Sequence, residues 1–208
     1  MSLTVQYILL ILVAYLIGSV SVGQLITHIT HGPNLKKVGS GSTGASNVLR
    51  VMGTKWGLVT LFGDFAKALF SCGIAWWTIG TLPAAMAAGL ACIIGHNWPI
   101  FFHMEGGKGV ASSCGVALMT YPIAGVISIL TCIAVIAIWR YISLGSLVLV
   151  TLFALIVTIF YSGGNWLIIL WAWAVALMCI YQHRTNIQRL IHGKERKIGQ
   201  KEKITTES

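Results

Sequence analysis

Apolar and polar positions alternate in long blocks along this chain, with no strand-like period of two. The apolar blocks are Thr4–Ile26, Trp56–Ile79, Pro83–Trp98, Val110–Thr120, Ile123–Trp139, Leu144–Phe160 and Trp166–Tyr181. A helix needs about 20 apolar residues to cross about 30 Å of hydrocarbon, so the blocks predict an all-α integral membrane protein with seven transmembrane helices. Two blocks are short, and Val110–Thr120 falls below spanning length. Pro122 admits either a turn between two helices or a kink within one long helix.

Charge decides for two helices. With the amino terminus outside, the inside segments are 27–55, 99–109, 140–143 and 182–208. The outside turns Gly80-Thr81-Leu82, Tyr121-Pro122 and Tyr161 to Asn165 then contain no Lys, Arg, Asp or Glu. All 14 Lys and Arg residues lie on or near the cytoplasmic face, as the positive-inside bias requires, and the carboxyl terminus is cytoplasmic. Six spans would put Arg140 or the basic tail on the wrong side.

Composition agrees: 56% hydrophobic and 9% charged residues with a mean hydropathy of +0.82 exclude a soluble domain. The net charge of +9 mostly reports topology, with attraction to anionic lipid head groups a further reading, and nothing resembles a nucleic-acid-binding module. No positive residue precedes the first block, which also outruns a 7–15-residue signal core, so it reads as a retained helix. Cys72, Cys92, Cys114, Cys132 and Cys179 are scattered without CxxC pairing and read as small packing residues. Residues 1–208 form one domain, with 194–208 a basic, flexible cytoplasmic tail.

The chemistry lies in the polar clusters. Gly39-Ser40-Gly41-Ser42-Thr43-Gly44 can turn backbone N–H groups toward one anion, with Asn47 adding an amide and Arg50 a two-pronged guanidinium; the same pattern also fits a flexible surface loop. It is not a nucleotide P-loop, because Ala45 stands where the lysine belongs. Gly106-Gly107-Lys108-Gly109 offers a second cradle on the same side. His96 and His103 admit a metal or base reading, but no carboxylate or cysteine completes a metal site. Asp64 and Lys67, spaced i to i+3, read either as a structural ion pair or as a group that positions substrate or Arg50, near the cytoplasmic end of their helix. Arg140 with Ser143, and His183 with Asn186, bring further donors to this face; a basic lipid-facing rim is the plainer alternative.

At these residues the chain resembles the bacterial membrane-bound glycerol-3-phosphate acyltransferases of the PlsY type. The carrying motifs are Gly39 through Arg50, Gly95-His96-Asn97-Trp98-Pro99 with Gly106-Gly107-Lys108-Gly109-Val110-Ala111, and His183 through Leu190 with Glu195. The resemblance implies an inner-membrane enzyme whose active site faces the cytoplasm. It would transfer a fatty acyl group from acyl phosphate to the 1-hydroxyl of sn-glycerol 3-phosphate without a cofactor or a metal, in functional linkage with the enzyme that makes acyl phosphate. It implies catalytic roles for Lys108, Ser143, His183 and Asn186. Phosphate binding would fall to Ser40, Gly41, Ser42, Thr43, Gly44, Asn47, Arg50, Lys108 and Arg140. Two positions depart from the family pattern, Ser42 for Asn and Ala68 for Gly. A transporter of an organic phosphate is the rival reading, and a non-catalytic lipid-binding subunit a third.

Overall fold

The structure, a computed structural model, describes residues 1–200; residues 201–208 of the expected tail lie outside the described residues. Its elements are α1 (Leu3–Ser19), α2 (Val22–Ile29), α3 (Ala45–Met52), α4 (Thr54–Thr78), α5 (Leu82–Asn97), α6 (Val110–Thr120), α7 (Pro122–Trp139), α8 (Ile142–Ile156), α9 (Trp166–Gln182) and α10 (Arg184–Ile191). The described residues contain no β-strand.

Each predicted apolar block is helical, but the first is not a single straight helix, and the last runs on past its end into a sharp turn. The first breaks at Val20 and Ser21, which are extended at ψ 107° and 103°, and α1 and α2 diverge by 42°. At the other end of the chain α9 turns through 65° at His183 into α10. Length and apolarity qualify α4, α5, α7 and α8 with their short extensions as spans, and the two bent pairs qualify as broken ones. Helix α6 has 11 residues and is too short to cross alone. Tyr121 separates it from α7 because the residue before a proline avoids helical geometry. The two then fold back on each other: a Cβ on Gly125 would meet the Ala117 carbonyl carbon at 3.0 Å.

Helix α5 is the spine, with Ala84, Ala85, Ala88 and Cys92 fully buried. Small residues permit the approach, since a Cβ on Gly18 would come within 2.1 Å of the Cys92 carbonyl and one on Gly95 within 2.2 Å of that of Tyr15. At the end of the bundle away from the polar loops, Tyr121, Phe153, Tyr161 and Trp171 stack with centroids 5.2–6.5 Å apart. Large apolar side chains such as Phe62, Phe70, Leu130 and Leu170 stay exposed around the bundle, which suits a lipid-facing belt. Helices α2, α3 and α10 and the loops between them gather at the other end.

Candidate active site

The loop before α3 is folded around Asn47, which is 1% exposed. Its Oδ1 accepts from Ser40 N at 2.8 Å, and its Nδ2 lies 2.9–3.2 Å from the carbonyls of Leu35, Val38 and Ser42. Gly39 stands at φ +67°, where a Cβ would fall 2.0 Å from that Oδ1. The N–H of Gly41 donates to Val38 O, and that of Gly44 to Ser42 Oγ. The expected nest of free backbone donors is therefore revised: the N–H groups of Ser40, Gly41 and Gly44 close the loop on itself, and Asn47 organises it instead of presenting its amide outward. What the loop presents is the Ser40 and Ser42 side chains and the first turn of α3 at Gly44, Ala45 and Ser46. A helix start carries unpaired N–H groups and a positive dipole end.

The glycine segment 106–109 faces this turn. Gly106 N donates to Asn97 O and Gly107 N to His96 O, which seats the segment on the end of α5, and Gly109 at φ +80° starts α6. Lys108 Nζ donates to Asn186 Oδ1. Burial pushes the Lys108 ammonium down to about 8, helped by the charges of Arg189 and Arg50 and opposed by those of Glu195 and Cys179.

Of residues 194–200, part of the expected flexible tail, Glu195 and Arg196 reach this site. Glu195 Oε1 accepts from Asn186 Nδ2 at 2.8 Å and from Ser143 Oγ at 3.0 Å, while Oε2 accepts from Arg189 Nε at 3.0 Å. Burial raises the Glu195 carboxyl, but these donors outweigh it and hold its pKa below the usual carboxylate range. Ile198 N donates to Arg140 O at 2.7 Å, and the Arg140 guanidinium returns a bond to Ile198 O at 3.0 Å. His183 is buried, and its Nδ1–H donates to Cys179 O at 2.8 Å, which leaves Nε2 as an acceptor. Burial first, and then the Lys108 charge, pushes the His183 imidazole down to about 4.

Together these groups wall a cavity of about 120 Å³. Of the expected residues, Ser40, Ser42, Gly44, Asn47, Arg50, Lys108, Ser143, His183 and Asn186 line it. Gly41, Thr43 and Arg140 are not in its wall: Thr43 is buried with its carbonyl against Gly23, and Arg140 is exposed and tied to the tail. His103 is exposed and also lies elsewhere. Sequence reasoning missed Ser46, Ser146 and Arg196 in the wall; Ser146 follows Ser143 by one turn of α8, a spacing that could have revealed it. Among the described residues no group of three or more His, Cys, Asp or Glu could hold a metal ion.

Two further features complete the site. Asp64 and His96 reach the cavity from below, and Lys67 pairs with Asp64 at 2.8 Å. The pair sits in the middle of the 25-residue α4 and not near its end as expected. An apolar groove of about 470 Å³ runs from the cavity between α4, α6, α7 and α8; Ala45, Leu61, Val110 and Ile142 belong to both, and Phe62, Phe65, Ile133 and Leu149 line its length.

A helical bundle with an exposed apolar belt, a polar pocket holding Lys108 and Arg50 at one end and an apolar groove leading out of it has the architecture of an integral membrane protein with a site near one face. Comparison with known proteins gives the class its family. The Glycerol-3-phosphate acyltransferase family model matches residues 8–193. The chain is 38% identical over 197 residues to the glycerol-3-phosphate acyltransferase of Thermoanaerobacter sp. (strain X514), covering 95% of this chain and 98% of that one. It superposes on crystal structures of PlsY (YgiH), an integral membrane glycerol 3-phosphate acyltransferase, with a TM-score of 0.85 for the glycerol 3-phosphate form and 0.82 for the lysophosphatidic acid form. Both are 34% identical to it and cover 93% of this chain and 96% of that chain. The chain belongs to the PlsY-type glycerol-3-phosphate acyltransferase family.

Proposed function

We propose that this enzyme transfers a fatty acyl group from acyl phosphate to the 1-hydroxyl of sn-glycerol 3-phosphate, releasing 1-acyl-sn-glycerol 3-phosphate and inorganic phosphate at the cytoplasmic face of a bacterial inner membrane. The observation that carries the reading is the continuity of the cationic cavity with the apolar groove. A phosphate head held by Lys108, Arg50, Ser40 and the α3 N-terminus leaves its acyl tail in the groove, where each buried methylene contributes about 0.8 kcal/mol. The basic charge of the polar loops supports an inside position for them and an outside amino terminus, with α6 counted as one of seven segments. The aromatic stack packs the bundle at the opposite end, which favours a site open to one face over a transporter.

The chemistry needs no cofactor, because acyl phosphate is already a mixed anhydride. The glycerol hydroxyl oxygen adds to the acyl carbonyl, the bond from that carbon to the phosphate oxygen breaks, and phosphate leaves with the electron pair. Two phosphates fixed in one cationic cavity supply approach and charge neutralisation. Ser143 and Asn186 orient the substrates from a position held by Glu195. A phosphate oxygen is the better acceptor for the hydroxyl proton than His183, whose lowered pKa makes it a weak base. His183 Nε2 instead serves as a hydrogen-bond acceptor that orients the hydroxyl.

The test is a donor comparison on purified protein in bilayers, with acyl phosphate, acyl-CoA and acyl carrier protein thioester offered separately alongside glycerol 3-phosphate. Product from acyl phosphate alone supports the reading. Product from a thioester alone would require a different donor site. Acyl phosphate as donor also implies a functional link to the enzyme that makes it.

A further inference from the structure

The sequence left open whether Asp64 and Lys67 are a structural pair or position something else. Lys67 is caged. Its Nζ stands 2.8 Å from Asp64 Oδ1, 2.9 Å from Gly18 O, 2.8 Å from Val20 O and 3.0 Å from His96 Nδ1. The two carbonyls are those left over where α1 breaks, so the ammonium satisfies the break as a bound cation would. His96 Nδ1 accepts from the ammonium, which can only donate, and also lies 3.4 Å from Asp64 Oδ1, so the ring is held by both members of the pair.

The other edge of that ring supports the segment that carries Lys108. A Cβ on Gly107 would fall 2.1 Å from His96 Nε2, and one on Gly106 would fall 2.0 Å from His96 O. The same carbonyl accepts from Gly107 N at 3.0 Å. Between the cage and the next residue, Lys108, there is no slack: rotation of His96 drives the ring into backbone that only glycine lets approach so closely.

We propose that Lys67 is a positioning residue for acyl transfer, which through His96 fixes the Gly106–Gly107 backbone and thereby the place of Lys108 in the cavity. The proposal rests on the acyltransferase reading of that cavity. Asp64 holds Lys67 in turn, and none of the three needs to touch substrate for the chain of contact to act. This assigns the pair a task beyond neutralising itself, and directs it to Lys108.

Steady-state kinetics on His96→Asn and on the charge-free double variant Asp64→Asn/Lys67→Met test it. The double variant is chosen because Lys67→Met alone strands a buried carboxylate and endangers folding. With both substrates varied, the KM of glycerol 3-phosphate or acyl phosphate is expected to rise about tenfold or more, the effect of misplacing one charge-assisted contact, while kcat changes less than about threefold. KM values within about twofold of wild type for both substrates in folded enzyme, even with a lowered melting temperature, would reduce the cage to a structural role and overturn the proposal. If the double variant does not fold, His96→Asn decides alone by the same criterion. Failure of the underlying reading looks different, since wild-type enzyme would then give no product from acyl phosphate and glycerol 3-phosphate.

Discussion

Lys108 offers the most quantitative test of the site, because its protonation is tied to its surroundings. Burial and the neighbouring Arg189 and Arg50 charges bring it to about 8, so the cationic form exists below that value and is lost as pH rises through it. At pH 7 about nine-tenths of the lysine is charged and at pH 9 about one-tenth. If the cation holds a substrate phosphate, kcat/KM should therefore fall about tenfold between those values, a limb that reports the free enzyme. Phosphate release and labelled lysophosphatidic acid, followed in bilayers from pH 6.5 to 10 with non-enzymatic hydrolysis subtracted, measure it. Lys108→Arg keeps its charge throughout that range and should flatten the limb, whatever its absolute rate. Glu195→Gln removes a charge that supports the protonated lysine and should move the limb to lower pH. A flat profile in the wild type, or an unchanged limb in Lys108→Arg, would refute the assignment.

Three other outcomes follow from the geometry. Asn47→Ala strips the loop before α3 of four backbone contacts at a buried position and is expected to destabilise the protein by about 2–4 kcal/mol and abolish turnover, read by thermal unfolding together with product formation. Ile133→Trp, in the groove and outside the cavity wall, should raise KM for palmitoyl phosphate far more than for hexanoyl phosphate, because it obstructs the length of the tail and leaves the head-group site untouched; equal effects on both would rule out the groove as the tail site. His183→Gln keeps a hydrogen-bonding group beside the cavity and should retain turnover within about tenfold with an unchanged pH profile, whereas a loss of several orders in folded protein would make the imidazole the base after all.

The bundle was legible because lipid imposes long apolar blocks, and the uncharged turns at one end separate α6 from α7 without any contact information. The break in α1 was not. Val20 and Ser21 carry no breaker signal, and the chain turns there because Lys67, more than 40 positions away, meets the freed carbonyls. The same distance hid the depth of Asp64 and Lys67 in α4. In the loop of 39–44 the glycines rightly marked unusual backbone, but sequence could not say that Asn47 would consume the donors the loop promised. The basic run after Gly193 looked like a solvated tail because composition is all that can be read there. Glu195 docks it, since Ser143, Asn186 and Arg189 meet at one carboxylate only once α8 and α10 are packed. Gly41, Thr43 and Arg140 share motifs with true wall residues, and motif membership does not fix which way a side chain points.

The central claim is that one cavity joins an acyl phosphate to glycerol 3-phosphate. The most direct measurement is the stoichiometry and regiochemistry of a single reaction: purified protein in bilayers, palmitoyl phosphate and labelled glycerol 3-phosphate, with phosphate and lipid product counted by mass spectrometry. One phosphate is expected for each 1-acyl-sn-glycerol 3-phosphate formed, and neither above background in Lys108→Ala. Phosphate release without acylated product, or equal product from Lys108→Ala, would contradict it.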